Sequence, residues 1–417
     1  MEIKKIKKDM RKEITLFKLD DEEKVDRVYL ENVMKSIFEN WRRHKRITID
    51  ENIQKRVIKE LTDDFLHYGP ISEFLSDVSI TEIMVNGPYR VYVEKNGRKY
   101  LTDIKFDDEA HLRYIIERMI APSRRRIDES YPYADFSLPD GSRVNVIIPP
   151  LSVYGPVVTI RKLSHLIRSV EDLIDMGTLD ERMGKFLVAC IQGKVNMLFS
   201  GATGSGKTTT VEVLSASIDE EERIITIEDA LELTLNQEHT VRLLTRPPNI
   251  EGKGEVTIRD LFINSLRMRP NRIILGEIRG SEAMDYIQAL NSGHRGCLAV
   301  LHASTPTDSI TRLETMALYA GLNLPSWAVR RQIASGLDII VQHEQFIDGS
   351  RKITYITEVV GVDKNDNIIL RDLFRYQIEG VKDDGRIKGK FIALDKPTFY
   401  SELIKKGIDL KESIFKE

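Results

Sequence analysis

The chain has 417 residues, enough for two or three domains of ordinary size that each bury a hydrophobic core. Hydrophobic residues make up 41% and charged residues 30%, a mixture that excludes both a largely disordered chain and a membrane-embedded protein. The formal net charge of -3 excludes a strong overall attraction to nucleic acid.

Residues 1–66 are predicted to form a helical region. Apolar residues recur at helical spacing over residues 28–41 and again over residues 53–65. We interpret these stripes as the core of a small bundle rather than as a ligand site. The basic run at residues 4–12 is interpreted as a solvated chain end, with contact to anionic lipid as the alternative.

A smaller α+β domain is predicted over residues 67–163. Apolar and polar residues alternate over residues 83–93, and glycines at Asn96-Gly97 and Asp140-Gly141 supply the left-handed turns of two β-hairpins. Helical spacing over residues 112–119 predicts a helix between the hairpins. The arginine triplet at residues 124–126 is interpreted either as a subunit contact or as a solvated face.

Residues 164–178 are predicted to be an interdomain linker, since periodicity weakens there and Ser169 with Asp172 resembles a capping box. In residues 179–417, strand-like apolar runs alternate with helical stretches, which predicts an α/β domain with a mostly parallel sheet covered on both faces. Two apolar runs that flank residues 363–367 predict a closing antiparallel hairpin near the carboxyl terminus. The strand-like runs in the α/β domain are residues 195–200, 223–227, 272–275 and 297–301.

Residues 201–208, with the sequence GATGSGKT, fit the phosphate-binding P-loop pattern G-x-x-x-x-G-K-[ST]. The motif lies directly after a predicted strand and directly before a predicted helix. Its glycines allow successive amide N–H groups to form an anion nest, to which the helix dipole adds. Lys207 is expected to reach the β- and γ-phosphates of ATP, and the Thr208 hydroxyl to bind Mg²⁺. The residues predicted to bind the nucleotide are Gly201, Ala202, Thr203, Gly204, Ser205, Gly206, Lys207, Thr208 and Thr209.

Hydrolysis requires a carboxylate near the end of a neighbouring strand, and the sequence offers two. Glu228 follows the strand-like run 223–227, and Glu277 follows the run 272–275. Because ligands bind at the carboxyl ends of parallel strands, both side chains are expected to point toward the phosphate site. A solvated acid or a helix cap is the alternative for each of them.

Five motifs follow one another in a fixed order: GATGSGKT at residues 201–208, IED at 227–229, LRMRP at 266–270, GEIR at 276–279, and a segment from Gly293-His294 to His302. This order resembles the type II/type IV secretion ATPases, where the pieces are called the Walker A, Asp box, Walker B and His box motifs. The resemblance implies a RecA-like P-loop domain.

The same resemblance implies roles for single residues. Glu277 would handle the hydrolytic water, Glu228 would lie beside Mg²⁺, directly or through a water, and His302 would sense the γ-phosphate. A packing role is the alternative for His302. Arg143 and Arg161 match arginines that reach the phosphates from the smaller domain, and solvated surface arginines are the alternative.

The residue sequences of several short segments, spread over roughly residues 60–375, resemble those of the tight-adherence (Tad/CpaF) pilus ATPases. Two departures stand out. Gly276 lies near the place of the usual Walker B aspartate, which leaves the division of labour between Glu228 and Glu277 open. The paired-cysteine zinc motif of many related ATPases is absent from the sequence. The segments that carry this resemblance are EDALE at 228–232, LETM at 313–316, AGL at 320–322, TEIMVNG at 81–87 and PDGSRV at 139–144.

The resemblance implies a homohexameric ATPase that couples ATP hydrolysis to assembly, and in some members to retraction, of a pilus through inner-membrane platform proteins, with indirect action on pilin. The alternatives are a type IV secretion ATPase that moves protein or DNA, a nucleic-acid-driven hexameric motor, a GTPase that uses DKND at residues 363–366, and a binding-only scaffold. We expect no nucleic-acid partner, because the charge is near neutral and no aromatic-basic stretch is evident.

A cytoplasmic location, peripheral at the inner membrane through partners, is also expected. No apolar run approaches the roughly 18 residues that cross a bilayer. The basic start of the chain leads into acidic residues 20–23 rather than into an apolar signal core. Cys190 and Cys297 have neither disulfide-framework nor metal-binding spacing, which predicts buried, unreactive thiols.

Overall fold

The computed structural model describes residues 6–11, 27–95, 97–123, 125–162, 167–246, 248–249, 252–383 and 385–416. The chain divides into two compact units, Met1–Ser164 and His165–Glu417. The division falls at the start of the predicted linker. A capping box at Ser169 and Asp172 begins the helix Val170–Asp175, as the sequence predicts: the Asp172 N–H donates to the Ser169 hydroxyl at 3.1 Å, and the Ser169 N–H donates to the Asp172 carboxylate at 2.9 Å.

The amino-terminal part of the first unit is helical, as predicted. Helices span Arg27–Lys45 and Glu51–Leu66, and residues 6–11 are also helical. The apolar stripes of these segments meet in one core, which includes Met10 and Phe38. These apolar side chains therefore form the core of the helical bundle, as their spacing predicts.

The rest of the first unit is an antiparallel sheet that packs on the helix Glu109–Ile120. Its strand order is β3-β2-β1-β6-β5-β4. Gly97 and Gly141 turn the two predicted hairpins with φ of +72° and +85°, a backbone conformation that glycine adopts at no steric cost. Asn96, predicted in the same turn as Gly97, lies outside the described residues. The strands are β1 Ile80–Asn86, β2 Val91–Lys95, β3 Arg98–Leu101, β4 Tyr133–Ser137, β5 Arg143–Ile147 and β6 Val157–Arg161.

The second unit is built on one large sheet with the order β15-β14-β13-β12-β7-β11-β10-β8-β9. Strands β12, β7, β11, β10, β8 and β9 are parallel to one another, and β13, β14 and β15 are added antiparallel. The predicted, mostly parallel α/β sheet is thus confirmed. Its strands are β7 Met197–Gly201, β8 Ile224–Glu228, β9 Thr240–Leu244, β10 Arg272–Leu275, β11 Leu298–Leu301, β12 Ile339–Gln345, β13 Arg351–Val362, β14 Ile368–Val381 and β15 Ile387–Ala393.

Helices cover both faces of this sheet, because successive side chains of a buried strand point to opposite sides. Met197 and Phe199 of β7 belong to one core, and Leu198 belongs to the other. Each fully buried side chain of this size contributes about 1.5–3 kcal/mol, which fixes the strand firmly beneath the loop that follows it. The helices are Val170–Asp175, Glu181–Gln192, Lys207–Ser215, Ile258–Ser265, Glu282–Asn291, Pro306–Leu318, Ser326–Gly336 and Tyr400–Lys405.

The predicted carboxy-terminal hairpin is formed by β13 and β14, which turn at residues 363–367. The Asp363 carboxylate accepts hydrogen bonds from the Asn365 and Asn367 N–H groups, both at 2.8 Å, so the DKND segment closes this turn. The hairpin continues into β15, an edge strand that the sequence analysis missed. Its alternating Lys388 and Lys390 are typical of a protected sheet edge.

Two other expectations concern the core and the membrane. Cys190 and Cys297 are both buried, and burial raises the pKa of both thiols, that of Cys297 to about 12. These thiols therefore stay protonated at neutral pH. Among the described helices, none combines the length and the hydrophobicity that crossing a bilayer requires.

Candidate active site

The P-loop connects the end of β7 to the helix Lys207–Ser215 through three glycines in the left-handed region. Gly201, Gly204 and Gly206 have φ of +149°, +78° and +98°. A Cβ atom at position 201 would lie 2.4 Å from the His343 carbonyl oxygen on the neighbouring strand β12. Glycine at position 201 thus allows the close approach of two backbones, and the predicted strand–loop–helix context of the motif is present.

Lys207, the first residue of the helix, is almost fully buried. Its ammonium donates a hydrogen bond to the Ala202 carbonyl oxygen at 2.7 Å and lies 3.4 Å from Nδ1 of His302. The Ser205 hydroxyl donates to the same carbonyl at 2.8 Å. The positive end of the helix dipole and the ammonium therefore coincide inside the loop, an arrangement suited to phosphate.

The Thr208 hydroxyl donates to the Glu232 carboxylate at 3.3 Å. Glu232 was not among the predicted site residues, although it stands four residues after Glu228 in the same acidic motif. A threonine hydroxyl beside a carboxylate is the kind of oxygen pair that Mg²⁺ prefers.

Glu228, the last residue of β8, is 2% exposed. One carboxylate oxygen accepts the Glu232 and Leu233 N–H groups at 2.9 and 2.8 Å. The other, Oε2, is buried without a hydrogen-bond partner in the described part of the chain and lies 3.9 Å from the Arg242 guanidinium. Burial raises the pKa of Glu228, because it outweighs the two N–H groups and Arg242.

This arrangement fits a metal that relies on a nucleotide for most of its ligands. In the described ranges, no cluster of three or more His, Cys, Asp or Glu side chains could by itself hold a metal ion. Mg²⁺ is commonly bound by one or two protein oxygens together with phosphates and waters. The buried oxygen of Glu228 and the Thr208 hydroxyl are the protein oxygens that the site offers for this role.

The missing Walker B aspartate has a steric explanation. A Cβ atom on Gly276 would lie 3.0 Å from Cγ of Glu228, tighter than ordinary van der Waals contact. The Glu228 side chain therefore occupies the space that a carboxylate at position 276 would need. Strands β10 and β8 pair in parallel up to this point, which brings the two backbones side by side.

Glu277 is the second predicted carboxylate, and it is partnered on both sides. Nε2 of His302 lies 3.1 Å from one oxygen, and the Arg279 guanidinium donates to the other at 2.6 Å. Burial acts to raise the pKa of Glu277, but the hydrogen bonds and charges of His302 and Arg279 outweigh it and lower the pKa to about 2. Glu277 is therefore ionised at neutral pH.

His302 follows β11 and lies between the two predicted elements of the site. Its Nδ1 faces Lys207 and its Nε2 faces Glu277. A neutral ring that carries its proton on Nε2 satisfies both contacts, since Nδ1 then accepts from the ammonium and Nε2 donates to the carboxylate. The structure thus joins Lys207, His302 and Glu277, three residues that the sequence predicts separately.

The turn after Glu277 is held by residues that the sequence analysis did not assign. The buried Glu282 carboxylate accepts the Arg279 and Gly280 N–H groups at 2.6 and 2.8 Å. The Arg279 guanidinium also lies 3.4 Å from the Asp229 carboxylate. Arg279 therefore links the Walker B segment to the Asp box, and the GEIR motif was the signal that could have identified it.

Arg143 and Arg161 belong to the first unit, where they are directly opposite each other on β5 and β6. Arg161 also pairs with Glu82 at 2.9 Å. Like charges placed opposite each other destabilise a sheet, and the Glu82 carboxylate offsets this repulsion at Arg161. Their approach to the nucleotide stays a prediction.

In the arginine triplet, Arg125 and Arg126 are exposed, and Arg124 lies outside the described residues.

Comparison with known proteins places the chain in a family. The family model described as "Type II/IV secretion system protein" matches residues 65–349. The type IV secretion system protein VirB11 of Bartonella quintana is 32% identical over 350 residues, which cover 74% of this chain and 96% of that protein. An uncharacterised protein of Methanocaldococcus jannaschii is 44% identical over 235 residues, 54% of this chain and 32% of that protein.

A solved structure agrees with the fold. The crystal structure of the pilus retraction motor PilT with bound ADP has a TM-score of 0.50 and 20% sequence identity, and the match covers 71% of this chain and 84% of that chain. At this identity the likeness concerns the fold alone. The motif order, the geometry of the P-loop and the family match agree: the chain belongs to the type II/IV secretion system protein family.

Proposed function

We propose that the protein is an ATP-hydrolysing motor that works as a homohexamer at the cytoplasmic face of the inner membrane. There it drives assembly, and in some settings retraction, of a Tad-type or type IV-like pilus through membrane platform proteins, and so acts on pilin indirectly. The observation that carries the proposal is the line of contacts from Lys207 through His302 to Glu277. This line joins the phosphate-binding lysine to a carboxylate suited to hydrolysis.

ATP with Mg²⁺ is the proposed ligand of the P-loop. Residues 201–209 surround the phosphates, and Lys207 exchanges its bond to the Ala202 carbonyl for bonds to phosphate oxygens. Thr208 and Glu228 hold Mg²⁺, directly or through a water. Glu232, which accepts a hydrogen bond from Thr208, orients the hydroxyl.

Hydrolysis is assigned to Glu277. A carboxylate can accept about four hydrogen bonds, so its contacts with His302 and Arg279 leave room for a water. A group with a pKa of about 2 is a weak base, so its main contribution is to orient the water for attack rather than to remove its proton fully. His302 senses the phosphate because a shift of the Lys207 ammonium toward phosphate weakens the hydrogen bond that Nδ1 of His302 accepts from it.

Mechanical coupling is assigned to the arginine pair of the smaller domain. We propose that Arg143 and Arg161 contact the phosphates when ATP is bound and lose that contact after hydrolysis, so that their charge is engaged in only one nucleotide state. Arg143→Ala is expected to leave ADP affinity unchanged and to lower hydrolysis about tenfold or more, as for other arginines that act on a transferred phosphoryl group. Unchanged turnover would remove Arg143 from the mechanism.

A second candidate function is a type IV secretion ATPase that moves protein or DNA. The similarity to VirB11, at 32% identity over 74% of the chain, favours it as much as the motifs favour the pilus role. The nucleotide chemistry is the same in both candidates. Only the membrane partner and the transported molecule differ.

The test is to replace the chromosomal copy with the Glu277→Gln variant in the native cell, then to count surface pili and measure transfer of protein and DNA. We expect pili to be lost and transfer to continue. Loss of transfer with normal pili would replace the pilus role by the secretion role. No change in either would contradict the proposal. A matched control is Lys388→Gln, which alters an exposed side chain on the edge strand β15.

A further inference from the structure

The hairpin of β12 and β13 ends beside the P-loop. Gln345 and Arg351 face each other at the turn end of this hairpin. The Arg351 guanidinium donates through Nε to the Gly204 carbonyl oxygen at 2.7 Å. This bond joins residues that are far apart in sequence, and it reaches the middle of the phosphate-binding motif.

The hairpin also packs against the loop. A Cβ atom on Gly206 would lie 3.5 Å from Cδ of Arg351, and one on Gly204 would lie 3.5 Å from the Gln345 side-chain oxygen. Both distances are ordinary van der Waals contact. The side chains of the hairpin therefore lie within one small group of the loop backbone at both glycines.

The end of the hairpin is itself held in place. Phe346 N–H donates to the Ser350 carbonyl at 2.8 Å and closes the turn. The Asp348 carboxylate accepts the Ser350 N–H at 2.9 Å and the Ile387 N–H of β15 at 2.7 Å. Arg351 thus extends from a braced turn, so its bond to Gly204 has a defined direction.

We propose that Arg351 is a positioning residue for nucleotide binding, which acts by fixing the Gly204 carbonyl and with it the curve of the P-loop. This inference rests on the proposed function of the loop in binding ATP. A loop with three left-handed glycines is free to change conformation, and that freedom must be lost when phosphate binds. Arg351 restricts the conformation of the loop before the nucleotide binds. It is therefore expected to strengthen affinity for the phosphate groups and to leave the rate of the chemical step unchanged.

The experiment measures ADP affinity by calorimetry and the KM and kcat of ATP hydrolysis for the full chain and for Arg351→Gln. Loss of a hydrogen bond from a charged donor is expected to raise the Kd for ADP and the KM for ATP about fivefold. The kcat should change less than about twofold, because the interaction is made equally before and during the reaction. Lys388→Gln, the control on β15, should match the wild type.

Several results would overturn the inference: unchanged ADP affinity, or a loss of kcat at unchanged KM. An effect that disappears at about 0.5 M salt would also overturn it, since such an effect would come from long-range charge alone. Should Arg351→Gln fail to fold, Arg351→Lys decides, and wild-type values for that variant would contradict a role for the guanidinium. Failure of the wild-type protein to bind ADP would instead contradict the proposed function itself.

Discussion

The ends of β8 and β10 lie side by side in the parallel sheet and each carries a glutamate, yet the two carboxylates are held in opposite ways. Glu228 is buried against backbone N–H groups, and burial raises its pKa. Glu277 is also partly buried, but His302 and Arg279 lower its pKa to about 2. Position in the fold brings both acids to the site, while their neighbours decide what each can do.

This difference suggests a division of labour that the sequence leaves open. Glu277 is ionised and held by His302 and the Arg279 guanidinium, which suits a group that orients a water beside the phosphates. Glu228 keeps one buried oxygen without a hydrogen-bond partner among the described residues, which suits a group that gains a partner when Mg²⁺ enters.

The largest effect is expected for Glu277→Gln. The amide keeps the size of the side chain and removes the charge that orients the water, so kcat should fall at least about 100-fold, as when a group that acts in the transition state is removed. ADP affinity, measured by calorimetry, should stay within about twofold of wild type, because the partners of Glu277 among the described residues are His302 and Arg279, outside the P-loop. A kcat close to wild type would assign hydrolysis elsewhere.

A smaller loss of turnover is expected for His302→Gln. The variant breaks the line of contacts that joins Lys207 to Glu277 through His302. The kcat should therefore fall about tenfold, less than the roughly 100-fold or more expected when a group that itself transfers a proton is removed. Magnesium dependence should be unaffected, since in the described part of the chain His302 contacts Lys207 and Glu277. The measurement is the rate of phosphate release over a series of ATP and Mg²⁺ concentrations. A shift in the Mg²⁺ requirement without loss of kcat would contradict this assignment.

Glu228→Gln should show the converse behaviour. Removal of the charge from the buried oxygen is expected to raise the Mg²⁺ concentration for half-maximal activity about fivefold, because a neutral amide oxygen binds the cation less strongly. ADP binding without Mg²⁺ should be nearly unchanged. The same titration measured on Glu277→Gln is the control, and an equal shift in both variants would remove the proposed distinction.

The smallest expected effect concerns stability, and its sign follows from the pKa shifts. The lowered pKa of Glu277 means that its ion pairs stabilise the fold above a pH of about 4.5, and that this contribution is lost as the pH falls toward about 2. The raised pKa of Glu228 means that its contribution is present below a pH of about 4.5 and is lost as the pH rises through the folded-state pKa.

At pH 7, Glu277→Gln should therefore lower the free energy of unfolding by about 1–3 kcal/mol, the range for hydrogen bonds to charged groups. Glu228→Gln should leave it unchanged or raise it slightly. Urea unfolding of both variants checks the comparison. Equal destabilisation by the two substitutions would show that burial does not distinguish the two sites.

The sequence predicts the parts of this site that depend on local pattern. The P-loop, Glu228 and Glu277 follow directly from strand ends and a contiguous motif. Their opposite electrostatics could not be predicted in the same way, because Arg242 lies on β9 and His302 follows β11, so both reach the site only through the sheet order.

The missed parts of the fold have a related cause. The strand-like runs that the analysis recognised are continuous and apolar, as in the sheet interior. Of the strands that were not assigned, β9 and β15 lie at the two edges and mix charged residues such as Arg242 and Lys388 with apolar ones. Strand β12 was also not assigned, although it lies inside the sheet and is mostly buried. Arg351 was missed for another reason: it contributes through a bond to a backbone carbonyl, which no side-chain motif records.

The most direct test of the account is phosphate release from MgATP by the purified full-length chain, compared with Lys207→Ala. The account predicts steady ATP hydrolysis by the wild type, and loss of both ATP retention and turnover when the ammonium that faces Ala202 and His302 is removed. A wild-type protein that retains no ATP with magnesium, or a Lys207→Ala variant with full turnover, would contradict it.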